Sequence, residues 1–171
     1  MIYKTDNPWG DEASAKKRRK TREPHPFTQY GHAGESAIPE EEREEFEKYW
    51  YQRGLNFLVR REHSAVEMME KLTQRGCPDW LADRLIARFK ELNYLSLERF
   101  AYSYSKNRAD LGYGPIRTRY ELGYHDIPGN AIDEAFAEID WESAREIAER
   151  KIRQDDPIKR RQALYRRGFS D

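Results

Sequence analysis

Histidine, cysteine and clustered carboxylates are the residues best able to do covalent or metal chemistry, and this chain spaces them poorly for it. Its four histidines are His25, His32, His63 and His125, and its one cysteine is Cys77. None forms an H-E-x-x-H pair or a C-x-x-C pair, the spacings that bring two ligands onto one metal. No metal site and no cofactor are expected. Neither G-x-S-x-G nor G-x-x-x-x-G-K-[ST] occurs, and the glycines of "LGYGP", Leu111 to Pro115, have no lysine after them and no strand before them. They read as a turn. The many aspartates and glutamates fall where solvation or i,i+4 pairing with Lys and Arg accounts for them. A metal-dependent nuclease would need clustered carboxylates, for which the spacing offers no geometry. No catalytic residue is assigned, and the chain is not expected to be an enzyme.

The basic residues carry more information. Arg60 and Arg61 flank a break in the helical pattern, and Lys71 and Arg75 lie on the short helix after it. Lys106 and Arg108 precede the second break and Arg117 and Arg119 follow it; Lys159, Arg160, Arg161, Arg166 and Arg167 form a third group. Taken singly, each is an ordinary solvated helix residue. Taken together, repetition in corresponding places would line up a stripe suited to a polyanion, because each neutralised phosphate releases counterions without any base contact. Tyr102, Tyr104, Tyr113, Tyr120 and Tyr165 could stack on bases, or could serve packing. The run "KKRRKTR", Lys16 to Arg22, adds a weak attraction for polyanions or simply solvates a tail.

The elements that must position these side chains are helical. Of 171 residues 36% are charged, against about 25% in an average globular protein, so each helix buries only a narrow face. The 31 basic and 31 acidic residues balance, which leaves local segregation of sign as the only electrostatic signal. The lone cysteine fits a reducing compartment, and no apolar run approaches the roughly 18 residues of a membrane span, so a cytoplasmic protein without a membrane partner is expected. Residues 1–39 have no apolar period and read as a disordered polar and basic tail. From there on, helix starts and stops can be placed. Ser64-Ala65-Val66-Glu67 is a capping box, Gly76 suits a left-handed helix end, Ser96 can cap a further helix, Asp140 opens another and Asp155-Asp156-Pro157 breaks it. Gly54, inside the first helix, marks close packing.

Three stretches resemble one another: "SAVEMMEKLTQRG" from Ser64, "GPIRTRYELGYHD" from Gly114 and "DPIKRRQALYRRG" from Asp156. Each has a branched apolar residue third (Val66, Ile116, Ile158) and a leucine ninth (Leu72, Leu122, Leu164). A recurrence every 40 to 50 residues or so marks units that cannot bury an apolar face alone and stack on their neighbours. The expectation is an all-α, elongated and curved array of tandem three-helix repeats: a first module with a leading helix over 40–95, a second over 96–139, and a third, incomplete one over 140–171.

The segments "LNFLVRREHSAVEMMEKLTQRG", "LIARFKELNYLSLERFAYSYSKNRADLGYGPIRTRYEL", "DWESAREIAERK" and "RRQALYRRGFS" closely resemble the RecX family, regulatory proteins that act on the RecA recombinase. The resemblance runs from about Glu45 to the C-terminus. It implies a non-enzymatic monomer that lodges in the groove of the RecA filament on single-stranded DNA. Such a protein restrains filament extension, ATP hydrolysis, strand exchange and co-protease activity. The thirteen basic residues named above would meet acidic RecA surface or DNA phosphate. The competing reading is a stand-alone DNA-binding regulator that uses Ser64 to Leu92 as a helix-turn-helix-like pair, although the second helix would begin with Asp79, Trp80 and Asp83, where acid repels phosphate.

Overall fold

The structure is a computed structural model and describes residues 25–31 and 33–170; the basic run Lys16–Arg22 lies outside them. Among the described residues there are eight α-helices, three short 3-10 turns and no strand. The helices are α1 (Arg43–Leu58), α2 (Ala65–Thr73), α3 (Asp79–Glu91), α4 (Leu97–Asp110), α5 (Pro115–Gly123), α6 (Gly129–Ala137), α7 (Trp141–Lys151) and α8 (Pro157–Arg167).

Short side-chain caps start these helices. Ser64 Oγ accepts from the backbone N–H of Glu67 at 3.0 Å, Ser96 Oγ from that of Arg99 at 3.1 Å, and Asp140 Oδ1 from that of Ser143 at 2.9 Å. The reciprocal half of the Ser64 box is not made, because Arg61 holds the Glu67 carboxylate with two bonds of 2.8 and 3.2 Å. A charge-assisted pair outcompetes a neutral bond to one backbone N–H.

The helices α2, α5 and α8 end alike. Gly76, Asp126 and Gly168 have φ of +90°, +55° and +93°. The next residue's N–H then reaches back to the carbonyl of the repeated leucine: Cys77 to Leu72 at 3.1 Å, Ile127 to Leu122 at 3.4 Å, Phe169 to Leu164 at 3.2 Å. This is a Schellman turn, and it places an apolar residue against the leucine it bonds to. All six of these side chains are buried. The recurring leucine therefore anchors a helix end and a core at once.

The apolar interior falls into three clusters. The first joins α1, α2 and α3 around the fully buried Phe46, Trp50, Leu72, Leu81 and Phe89. Large apolar side chains of this kind contribute roughly 1.5–3 kcal/mol each on burial. Gly54 of α1 is where the Phe89 ring lies, and a Cβ there would come within 3.0 Å of it. The second cluster packs α4 on α5 and α6 through Phe100, Ala101, Leu122 and Ile132; the third joins α4, α7 and α8 through Ala109, Ala144, Ala148 and Leu164. Helix α4 thus belongs to two cores. Leu92 and Leu97, beside the turn between α3 and α4, are exposed at 45% and 42%.

The expectation of disorder as far as Pro39 needs correcting, since His25 onward folds against the first core. Phe27, Tyr30 and Ile38 pack there, with Phe27 and Tyr30 set edge-on to Phe46 at 5.5 and 5.7 Å. Trp80 Nε1 donates to the Ala33 carbonyl at 3.1 Å, and Arg84 bridges Glu35 and Glu47 at 2.8 and 2.7 Å. Single anchors in short turns leave no 3.6-residue period, so a search for periodicity passes over them.

Candidate functional site

The structure sorts the thirteen basic candidates by what each already holds. Arg108, on α4, lies within 2.7 Å of Glu121 and donates to the Tyr104 hydroxyl at 2.9 Å. Arg117, on α5, pairs with the other oxygen of the same Glu121 at 2.9 Å. Arg108, Arg117 and Arg167 also lie over the ring of Tyr113, at 5.2, 4.6 and 5.5 Å from its centre. Arg167, at the end of α8, donates to the Gly112 carbonyl at 3.1 Å. Three cations, one carboxylate and one aromatic ring thereby tie α4, α5 and α8 together. Burial works against the charge on Arg108, but Tyr104 and Glu121 outweigh it and hold its pKa above the ordinary guanidinium value.

Other candidates are held more loosely at the surface. Arg61 holds Glu67, Arg119 holds Asp133 and lies over Phe136, and Lys106 reaches Asp110 at 3.5 Å. Arg160 donates to the Glu149 carbonyl at 3.3 Å. Lys71 and Arg75 both lie over the Phe57 ring, at 5.6 and 4.7 Å. Arg60, Lys159 and Arg166 are exposed. Arg161, Tyr165, Arg166 and Phe169 line a groove of about 310 Å³ on α8.

The tyrosines divide in the same way. Tyr104 and Tyr113 are half-buried in the arginine cluster, so their work is packing and bonding. Tyr120 and Tyr165 present 66% and 73% of their surface, and Tyr102 presents 37%. Tyr124, not singled out in the sequence, is 65% exposed and meets Tyr120 edge-on across one turn of α5. Its i,i+4 spacing from Tyr120 was the available signal. Sequence reasoning also passed over Lys48 and Arg53 of α1, because it looked for cations only beside breaks.

Among the described residues, no group of three or more His, Cys, Asp and Glu side chains could hold a metal ion. The imidazole of His63 is buried and its Nδ1 lies 2.9 Å from the Arg61 carbonyl, an acceptor, so Nδ1 carries the proton. His125 Nδ1 meets Ser64 Oγ at 3.1 Å and joins the end of α5 to the start of α2. Cys77 is buried. No helix among the described residues is long and apolar enough to cross a membrane.

Residues 51–89 match the family model for the first three-helix domain of RecX. The regulatory protein RecX of Stenotrophomonas maltophilia is 42% identical over 127 residues, covering 69% of this chain and 78% of that protein. That of Xanthomonas campestris pv. campestris is 41% identical over 127 residues, with the same coverage of 69% and 78%. The Pseudomonas entomophila protein is 39% identical over 125 residues, covering 68% of this chain and 81% of its own length. A crystal structure of regulatory protein RecX shares the fold, with a TM-score of 0.59 at 20% identity over 78% of this chain and 74% of that one. Identity near 40% over more than two thirds of both partners, together with a shared all-helical fold, means that this chain belongs to the RecX family of regulatory proteins.

Proposed function

We propose that this chain is a negative regulator of the RecA recombinase. It acts by occupying the groove of the RecA–DNA filament, and so limits filament extension, ATP hydrolysis, strand exchange and co-protease activity. The observation that carries the reading is the 127-residue match to proteins named regulatory protein RecX. It works without catalysis, as a monomer, in the cytoplasm. Its partners are the RecA filament and, weakly, single-stranded DNA.

The architecture supports this reading. Three small cores follow one another along the chain. The short helices also link head to tail: the end of α8 covers the start of α5, and His125 after α5 meets Ser64 before α2. Such links favour modules over 40–95, 96–139 and 140–171 that stack into a curved array able to follow a helical groove. The cations of α8, Lys159, Arg160, Arg161 and Arg166, are the ones to meet acidic RecA surface or phosphate. Arg108, Arg117 and Arg167 serve by holding α8 in place.

The helix-turn-helix alternative loses support from the start of α3. Trp80 there is engaged with Ala33 and stacks on Phe46, and Arg84 is bound by two carboxylates. A recognition helix needs that first turn free for base edges. The test is a titration of RecA's DNA-dependent ATP hydrolysis, which is expected to fall at or below equimolar amounts of this protein. Unchanged hydrolysis in excess regulator refutes the proposal, and tight sequence-selective binding to duplex DNA without RecA favours the alternative.

A further inference from the structure

On the outer side of α1 lies a groove of about 840 Å³ between that helix, the N-terminal segment and the end of α2. Its walls include His25, Phe27, Lys48, Tyr49, Arg53 and Arg75. We propose that this groove is a binding site for single-stranded nucleic acid, in which its cations meet phosphates and its stacked rings meet bases.

Charge is the first argument. Many of the described arginines are held by carboxylates, as Arg61, Arg84, Arg99, Arg117 and Arg119 show. In the groove the pattern reverses. Lys48, Arg53 and Arg75 are exposed, and among the described residues no carboxylate pairs with any of them. Arg53 donates to the Tyr49 hydroxyl at 3.1 Å and Arg75 to the Lys71 carbonyl at 2.9 Å, neither of which cancels charge. Glu45 is the one acid in the lining. Three unneutralised cations converging on one concavity in a chain of zero net charge call for an anion.

Flat surfaces are the second argument, and they choose among anions. His25 stacks on Tyr49 with centres 4.0 Å apart and planes 20° apart, and the Arg53 guanidinium lies over the same tyrosine at 5.4 Å. A pile of planar groups beside free cations complements a strand whose bases are unpaired, since every base offers a π face and every linkage a phosphate. An acidic peptide would use the cations and leave the rings idle. The site lies apart from the α8 cations. It deepens the DNA half of the proposed function and rests on that reading for the nature of the strand.

The experiment leaves RecA out, so that its failure leaves filament inhibition standing. A fluorescent oligothymidylate is titrated with the full chain and followed by anisotropy across a salt series. The triple reversal Lys48→Glu, Arg53→Glu, Arg75→Glu should weaken binding by about tenfold or more at low salt and flatten the log–log salt slope by roughly 2, at about 0.7 per phosphate. Reversal of Lys90, Arg150 and Arg153, which lie outside the groove, should change affinity by less than about twofold. His25→Ala should cost about fivefold or more. The neutral pair Lys48→Gln and Arg53→Gln, with melting followed by circular dichroism, serves as the second variant should the reversals unfold. Equal loss in the groove and control reversals, duplex binding as tight as single-strand binding, or equal competition by polyglutamate would each overturn the proposal.

Discussion

Gly114 and Gly168 meet backbone to backbone. A Cβ on Gly114 would come within 3.0 Å of the Gly168 carbonyl, and one on Gly168 within 3.0 Å of Arg117. The closeness lets the last carbonyls of α8 finish the first turn of α5. The Arg167 carbonyl accepts from the Gly114 N–H at 2.8 Å, and the Gly168 carbonyl from the Ile116 N–H at 3.2 Å. Unsatisfied donors of one helix are thereby capped by unsatisfied acceptors of another, with dipoles aligned.

Gly114→Ala should therefore destabilise the chain by about 1–3 kcal/mol, since backbone on both sides leaves nothing flexible to move. Gly123 of α5, where a Cβ would meet nothing within 4 Å, is the internal control. Gly123→Ala should be neutral or stabilising, by up to about 1 kcal/mol. Thermal unfolding followed by helical circular dichroism separates the two, and equal melting temperatures would contradict the close approach.

The two kinds of arginine predict two kinds of defect. Arg108→Met removes a cation that is only 26% exposed and leaves Glu121 with Arg117 as its remaining cation, so it should lower stability by about 1–2 kcal/mol as well as weaken RecA inhibition. Lys159→Glu with Arg166→Glu should weaken inhibition with no change in urea midpoint. If inhibition survives that pair intact, the end of α8 does not face the filament.

Acid should destabilise the fold through His63. Burial is the main force holding its pKa below the ordinary histidine value, so the neutral ring is favoured in the fold. The unfolded chain takes up its proton first as pH falls, and binding more protons in the unfolded state means stability drops with pH. The contribution is complete above about 6.5, the unperturbed value, and is lost progressively below it. Urea midpoints at neutral and mildly acidic pH should show this slope, and His63→Gln should flatten it.

Cys77 should be a silent thiol in the native state. Burial pushes its pKa up to about 12, and the nearby Asp79 adds to the shift. Only the thiolate attacks disulfide reagents, so labelling with a chromogenic disulfide should await unfolding and report the opening of the first core. Rapid labelling of the folded chain would show that Cys77 is reached without unfolding.

Much of the fold was legible in residue order. Helix starts at Ser64, Ser96 and Asp140, the stop at Gly76, the turn at Leu111 to Pro115 and the close packing at Gly54 all follow from the chemistry of single residues and their near neighbours. Asp126 escaped notice because its left-handed turn is shared with glycines at the equivalent places, and only the Leu122–Ile127 bond reveals it. The packing of His25 to Pro39 was hidden for another reason: separate aromatic anchors lack the recurrence that marks a helix.

What residue order determined, then, is everything governed by contacts a few positions apart: helical class, caps, breaks and the leucine that recurs with its apolar partner. Tertiary structure alone decided which charges are available. Arg108, Arg117 and Arg167 stood with Arg75 as candidates for one stripe and Lys48 and Arg53 stood outside it, yet long-range packing brings the first three around Glu121 and Tyr113 and leaves Lys48, Arg53 and Arg75 around an open groove. A side chain's charge is written in its identity, but its availability depends on which distant carboxylate the fold delivers to it.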